Sequence, residues 1–165
     1  SLSSIEETAN KIELKNTYTS QYANFSIKYP EGWTVVKNEQ EVANRVTFLS
    51  LPPDDPKMQF RIPRDEAKIE VRIYSNKNLD NLQNWINNFY SDDPFGFPQV
   101  KSSEALTIAG YESLLHIINT GGNYEFAAYI PYEDKIFLIS GPGIDNKYFH
   151  TFWAMLKSFS IQKQI

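Results

Sequence analysis

Two stretches decide the fold: Leu114-Leu115-His116-Ile117-Ile118 and Ile136-Phe137-Leu138-Ile139. Gly121-Gly122 follows the first and Glu133-Asp134 precedes the second, so both read as strands joined through antiparallel hairpins. A sheet with one face open to water alternates apolar and polar residues along each strand. These strands are apolar on both parities, so both faces of the sheet must be covered. The covers are legible on either side in sequence. Leu79, Leu82, Trp85, Ile86 and Phe89 recur at helical spacing, with Asn78 placed as N-cap. Phe149, Phe152, Leu156 and Phe159 line a second helix from about Asn146 to Lys157, with Asp145 as its N-cap. Burying one such Phe contributes about 1.5–3 kcal/mol, which ties the helix to the core. The expected architecture is α+β: a three-layer α/β/α sandwich with a central antiparallel sheet of about six strands.

The remaining strands extend that picture. Phe25, Ile27 and Tyr29 alternate with Ser26 and Lys28, Pro30-Glu31-Gly32 turns the chain, and Trp33 and Val35 open the next strand. Further strands are expected over Arg45–Leu51, around Ile69–Ile73, over Lys101–Ile108 and over Asn123–Tyr132. Between them, Leu51–Arg64 holds Pro52, Pro53, Pro56 and Pro63 among charged residues and reads as a long surface loop. Residues 1–20 are polar and weakly patterned, so a flexible lead-in is expected there and a single domain over 21–165.

Composition narrows the function classes. The chain has 165 residues, enough for one domain with a sizeable core, and carries eleven Phe, ten Tyr and three Trp to fill it. Its net charge of −4 leaves no footprint for nucleic acid. With no cysteine, disulfides, thiol catalysis and cysteine metal sites are excluded. No apolar run approaches the roughly 18–20 residues of a membrane helix.

The stretch Phe25-Ser26-Ile27-Lys28-Tyr29-Pro30-Glu31-Gly32-Trp33 resembles the F-x-x-x-Y-P-x-G-W opening of PsbP-type domains. The close, Phe149 through Met155-Leu156-Lys157-Ser158-Phe159-Ser160-Ile161, is similar to that family's last helix and strand. This resemblance implies a sandwich shared with the Mog family of Ran-binding proteins. It also implies an exported accessory or binding module with no common catalytic apparatus, in bacteria often a lipoprotein anchored through an upstream segment. An extracytoplasmic monomer that engages an unidentified protein partner, with no cofactor, is the expectation drawn from it. An intracellular regulator of the Mog kind is the alternative, and a small hydrolase stands last. The Leu51–Arg64 loop has no counterpart in the family pattern, and no matched motif points to a photosystem.

The candidate chemistry is thin. His116 shares a strand face with Leu114 and Ile118, which favours a hydrogen-bonded core histidine over a general base. His150 falls away from the Phe stripe and is expected in solvent. Neither G-x-S-x-G nor H-E-x-x-H occurs. Asp54, Asp55, Asp65 and Glu66 could offer oxygen ligands, but their spacing fits no calcium loop and Lys57, Arg61 and Arg64 offset them. Ser140-Gly141-Pro142-Gly143 lacks the lysine of a phosphate loop and reads as a strand-to-helix turn. The expected partner-binding residues are therefore loop positions: Asp54, Asp55 and Lys57, with Phe95 and Phe97 on the connection after the first covering helix.

Overall fold

A computed structural model of the chain describes residues 2–39, 44–91, 93, 99–119 and 124–163. In chain order the elements are α1 (Leu2–Ala9), β1 (Asn16–Thr19), β2 (Phe25–Tyr29), β3 (Thr34–Glu39), β4 (Asn44–Leu49), β5 (Lys68–Ser75), α2 (Leu82–Ser91), β6 (Gln99–Ile108), β7 (Tyr111–Asn119), β8 (Tyr124–Tyr132), β9 (Lys135–Pro142), α3 (Phe149–Ser158) and β10 (Ser160–Ile161). Strands β3 to β9 form one antiparallel sheet in the order β3-β4-β5-β9-β8-β7-β6, and β1, β2 and β10 form a second, three-stranded sheet. The central sheet therefore has seven strands where about six were expected.

Apolar residues on both parities have the predicted consequence. On β8, Phe126, Ala128 and Ile130 point into one core while Ala127 and Tyr129 point into the other. On β9, Phe137 and Ile139 face the first core, Ile136 and Leu138 the second. Helix α2 closes the second core through Trp85 and Ile86. The opposite layer is mixed rather than purely helical. It combines α3, α1 and the small sheet, because Phe25 on β2 sets its ring 5.8 Å from that of Phe137 and 5.6 Å from that of Phe159. Phe25 and Ile27 are fully buried against the face of the central sheet, not within it. The alternation of Phe25 to Tyr29 reveals a strand, but cannot say which sheet it joins.

Residues 1–20 depart from the expected loose lead-in. Ala9 is buried in the larger core, Lys157 reaches Glu6 at 4.0 Å, and β1 pairs with β2 from Asn16–Tyr29 to Thr19–Ser26. Polar exposed faces on both elements hide this order from a pattern search. Both helix starts also differ from the sequence reading. Asn81, not Asn78, caps α2 by accepting from the Asn84 amide at 2.9 Å, while Leu79 sits at φ 53° and is 67% exposed. The buried Asn76 organises that approach through two bonds of 3.0 Å to the backbone of Asp80. Helix α3 starts at Phe149, and Asn146 rather than Asp145 braces its approach by accepting from the Tyr148 amide at 2.8 Å.

Tight turns fix the register. Pro30-Glu31-Gly32-Trp33 closes with Gly32 at φ 84°, a conformation that suits glycine. The β8–β9 hairpin turns at Glu133-Asp134, as read from sequence. Gly121-Gly122 lies outside the described residues.

Candidate functional site

The second face of the central sheet is not uniform. The strand register places Thr47 (β4), Glu70 (β5), Ser140 (β9), Ala127 (β8) and His116 (β7) in one row across it. Toward β7 and the lower ends of β8 and β9, this face is apolar and packs with α2. Toward β4 and β5 it is polar. Glu70 is 4% exposed, yet its carboxylate accepts from the Thr47 hydroxyl at 3.0 Å and from Arg72 Nε at 3.1 Å, and Arg72 Nη2 lies 3.0 Å away. Burial works against this carboxylate, but the charges of Lys68 and Arg72 and the Thr47 hydrogen bond outweigh it and hold its pKa below the usual carboxylate range.

Beyond the last β5–β9 pair, Glu70–Ser140, lie Lys68 and Pro142, and Pro142 pairs with Glu125 on β8. Here the sheet opens into a cavity of about 220 Å³, whose lining includes Lys68, Arg64 and Asn146 together with the carboxylates Glu125, Glu66 and Asp145. Asn146 holds the wall in place, donating to the carbonyl oxygens of Glu66 at 3.0 Å and Arg64 at 3.3 Å. Ser50 pins the same segment by donating to Glu66 and accepting from the Ala67 amide at 2.8 Å. The phenol of Tyr124 accepts from Lys101 Nζ at 2.9 Å. Gly143 is required at the floor, since a Cβ there would collide with the Tyr124 carbonyl.

Glu125 has a different environment from Glu70. Burial raises its pKa and the Glu70 charge raises it further, while Lys68 and Arg72 offset only part of this. A carboxyl whose folded pKa lies above its unfolded value contributes stability below the ordinary carboxylate range and loses it as pH rises through the folded pKa. Glu125→Gln is therefore expected to raise stability at neutral pH, on the order of 0.5–1 kcal/mol. The gain should vanish near pH 4, where wild-type Glu125 is already protonated. Urea unfolding at both pH values checks this, and an equal gain at both would remove the burial argument.

The other expected residues divide. Asp54 and Lys57 are exposed, and Asp55 caps a 3-10 turn over Pro56–Met58 by accepting from the Lys57 amide at 2.9 Å. Phe95 and Phe97 lie outside the described residues. Sequence reasoning missed Phe60, 91% exposed on the same loop. The available signal was an aromatic residue with no periodic apolar partner in a proline-broken segment. His116 is buried as expected, its ring 5.1 Å from that of Tyr129, and burial lowers its pKa. The expected hydrogen bond is not seen at Nδ1, which has no partner among the described residues. Among the described residues no three acidic or histidine side chains gather in a way that could hold a metal ion. No helix among them is long and apolar enough to cross a membrane.

A seven-stranded antiparallel sheet with one helix on one face, and two helices with a small sheet on the other, defines an α+β sandwich domain. Its fold is PsbP-like. The chain is similar to cyanobacterial PsbP (CyanoP) of Synechocystis, with a TM-score of 0.60 at 17% identity over 92% of this chain and 94% of that one. A Pseudomonas aeruginosa protein of unknown function matches with a TM-score of 0.55 at 11% identity, over 90% of this chain and 98% of that one. LpqN of Mycobacterium tuberculosis, involved in cell envelope biogenesis, matches with a TM-score of 0.51 at 14% identity, over 96% and 97%. At these identities the likeness is one of fold. No protein-family model and no curated protein sequence matches the chain.

Proposed function

We propose that this chain is a non-catalytic accessory domain that works outside the cytoplasm as a monomer and grips a protein partner through its 51–67 loop. One observation carries the reading: Phe60 stands 91% exposed on that loop, with Lys57 and Asp54 also exposed on it. A solvated aromatic ring is a poor feature for a free surface and a good anchor in an interface, where such residues dominate binding energy. Four prolines (Pro52, Pro53, Pro56 and Pro63) and the Asp55-capped turn restrict the loop beforehand, which lowers the entropy lost on docking. The arrangement around His116, which pairs with an aromatic ring rather than a carboxylate, also favours binding over hydrolysis. The envelope role of LpqN supports the extracytoplasmic placement.

A photo-crosslinking residue at position 60, expressed in the source organism, is expected to trap one defined protein, and Lys135 at the β8–β9 hairpin serves as the control position. Phe60→Ala with Asp54→Ala and Lys57→Ala should reduce capture by about tenfold or more, the scale of an interface anchor. Equal trapping from both positions, or capture unaffected by the substitutions, would rule the loop out. Fractionation of the native protein with cytoplasmic markers would rule out the compartment.

A further inference from the structure

We propose that the cavity between β5 and β8 binds a small zwitterion of the α-amino acid type, its carboxylate held by Lys68 and Arg64 and its ammonium by Glu125. The argument begins with charge placement. Pro142 pairs with Glu125, Lys68 stands two residues before Glu70 at the same end of β5, and both charged residues line the cavity. Two strand spacings separate their backbones by about 10 Å. No ion pair joins the two side chains among the described residues, and the charge of Lys68 acts on Glu125 only at a distance. Arg64 stands on the Lys68 side, on the segment that Asn146 and Ser50 fix in place. Lys68 and Arg64 thus present cations on one side and Glu125 a carboxylate on the other, with the carboxylates of Glu66 and Asp145 also in the lining.

Among the described residues none of the side chains of Lys68, Arg64 and Glu125 has a hydrogen-bonded partner, although the charge of Lys68 acts on both Glu70 and Glu125, whereas the neighbouring Glu70 and Arg72 are paired with one another. A ligand carrying both charges on one carbon would meet both walls at once. A simple anion would satisfy only Lys68 and Arg64 and would meet repulsion from Glu125. A simple cation would meet the reverse. The apolar remainder of the wall (Ile62, Pro63, Ala67 and Pro142) suits an aliphatic side chain, and the volume of about 220 Å³ suits a molecule of that size rather than a larger cofactor. The raised pKa of Glu125 agrees with this: its carboxylate is costly in the empty cavity and would be neutralised by an incoming ammonium.

The probes are L-leucine, leucinamide, which lacks the carboxylate, and N-acetyl-leucine, which lacks the ammonium. Backbone amide NMR shifts are followed up to tens of millimolar ligand. Leucine is expected to shift the amides of Tyr124, Glu125, Gly143 and Asn146, with each single-charge analogue weaker by about tenfold, the worth of one charge-assisted hydrogen bond. The double variant Lys68→Met with Arg64→Met should bind leucine and leucinamide alike, and Glu125→Gln should bind leucine and N-acetyl-leucine alike. Analogues that bind wild type as well as leucine would overturn the proposal. So would shifts confined to other surfaces, or none at all. These outcomes are independent of partner capture through Phe60.

Discussion

Gly141→Ala is expected to destabilise the domain by about 3 kcal/mol, the upper range for overpacking a core. The reason is a close approach between β9 and α3. Gly141 follows Ser140 on β9 but points to the opposite face, toward the larger core, and a Cβ built there would clash with the ring of Phe152. Phe152 cannot yield easily. It is fully buried, with its ring centroid 6.3 Å from that of Phe126, which in turn lies 5.0 Å from Phe149. The added methyl must therefore push α3 away from the sheet or drive the ring off its rotamer. Phe152→Leu alone should cost about 1–2 kcal/mol through lost packing. Combined with Gly141→Ala it opens room for the methyl, so the double variant should cost clearly less than the sum. Urea denaturation of the four proteins measures the coupling, and strict additivity would show that the helix does not press on Gly141.

That contact also marks the limit of what the sequence discloses. Apolar parity on β7 and β9 required two covered faces, and the two Phe-rich and Trp-containing stripes named the covering helices correctly. Pattern reading works here because each buried element repeats its apolar residues at the period of its own backbone. It fails where order depends on a partner elsewhere in the chain. The helix α1 carries few apolar residues, and Ala9 becomes core only because α3 lies against it. Strand β2 has an ordinary alternation, and its pairings with β1 and with Ser160 and Ile161, far along the chain, place it in a separate sheet. The candidate cavity was illegible for the same reason. Lys68, Glu125 and Pro142 are unremarkable as sequence, and come to line one cavity only through the ordering of three strands. Phe60 was legible in principle, as an aromatic residue without a periodic partner, but Asp54, Asp55 and Lys57 drew the reading to charge.

Arg72→Met is expected to cost about 2–3 kcal/mol at neutral pH, and most of that cost should disappear in acid. Breaking a fully buried ion pair costs roughly 3–5 kcal/mol, because one charge is left buried without its partner. The side chain of Arg72 is 37% exposed and that of Glu70 5%, so water reaches the pair from the Arg72 side and the lower figure applies. In wild type the folded pKa of Glu70 is depressed, so its contribution is present above the unfolded carboxylate value and is lost as pH falls through the folded pKa. Without Arg72, burial is opposed only by the charge of Lys68 and the Thr47 hydrogen bond, the folded pKa rises, and the penalty fades as pH falls and Glu70 takes up a proton. A second replacement, Glu70→Gln, should restore most of the stability at neutral pH, since Thr47 then bonds a neutral amide. Guanidinium unfolding would introduce salt, so urea at pH 7 and pH 4 is the appropriate measurement. A cost independent of pH would mean that Arg72 stabilises by packing alone. The distinction bears on the cavity as well. Arg72 is the cation hydrogen-bonded to Glu70, while Lys68 acts on that carboxylate only through its charge and lines the cavity. Removing Arg72 should therefore draw Lys68 toward Glu70 and away from the cavity, weakening leucine binding even in variants that remain folded.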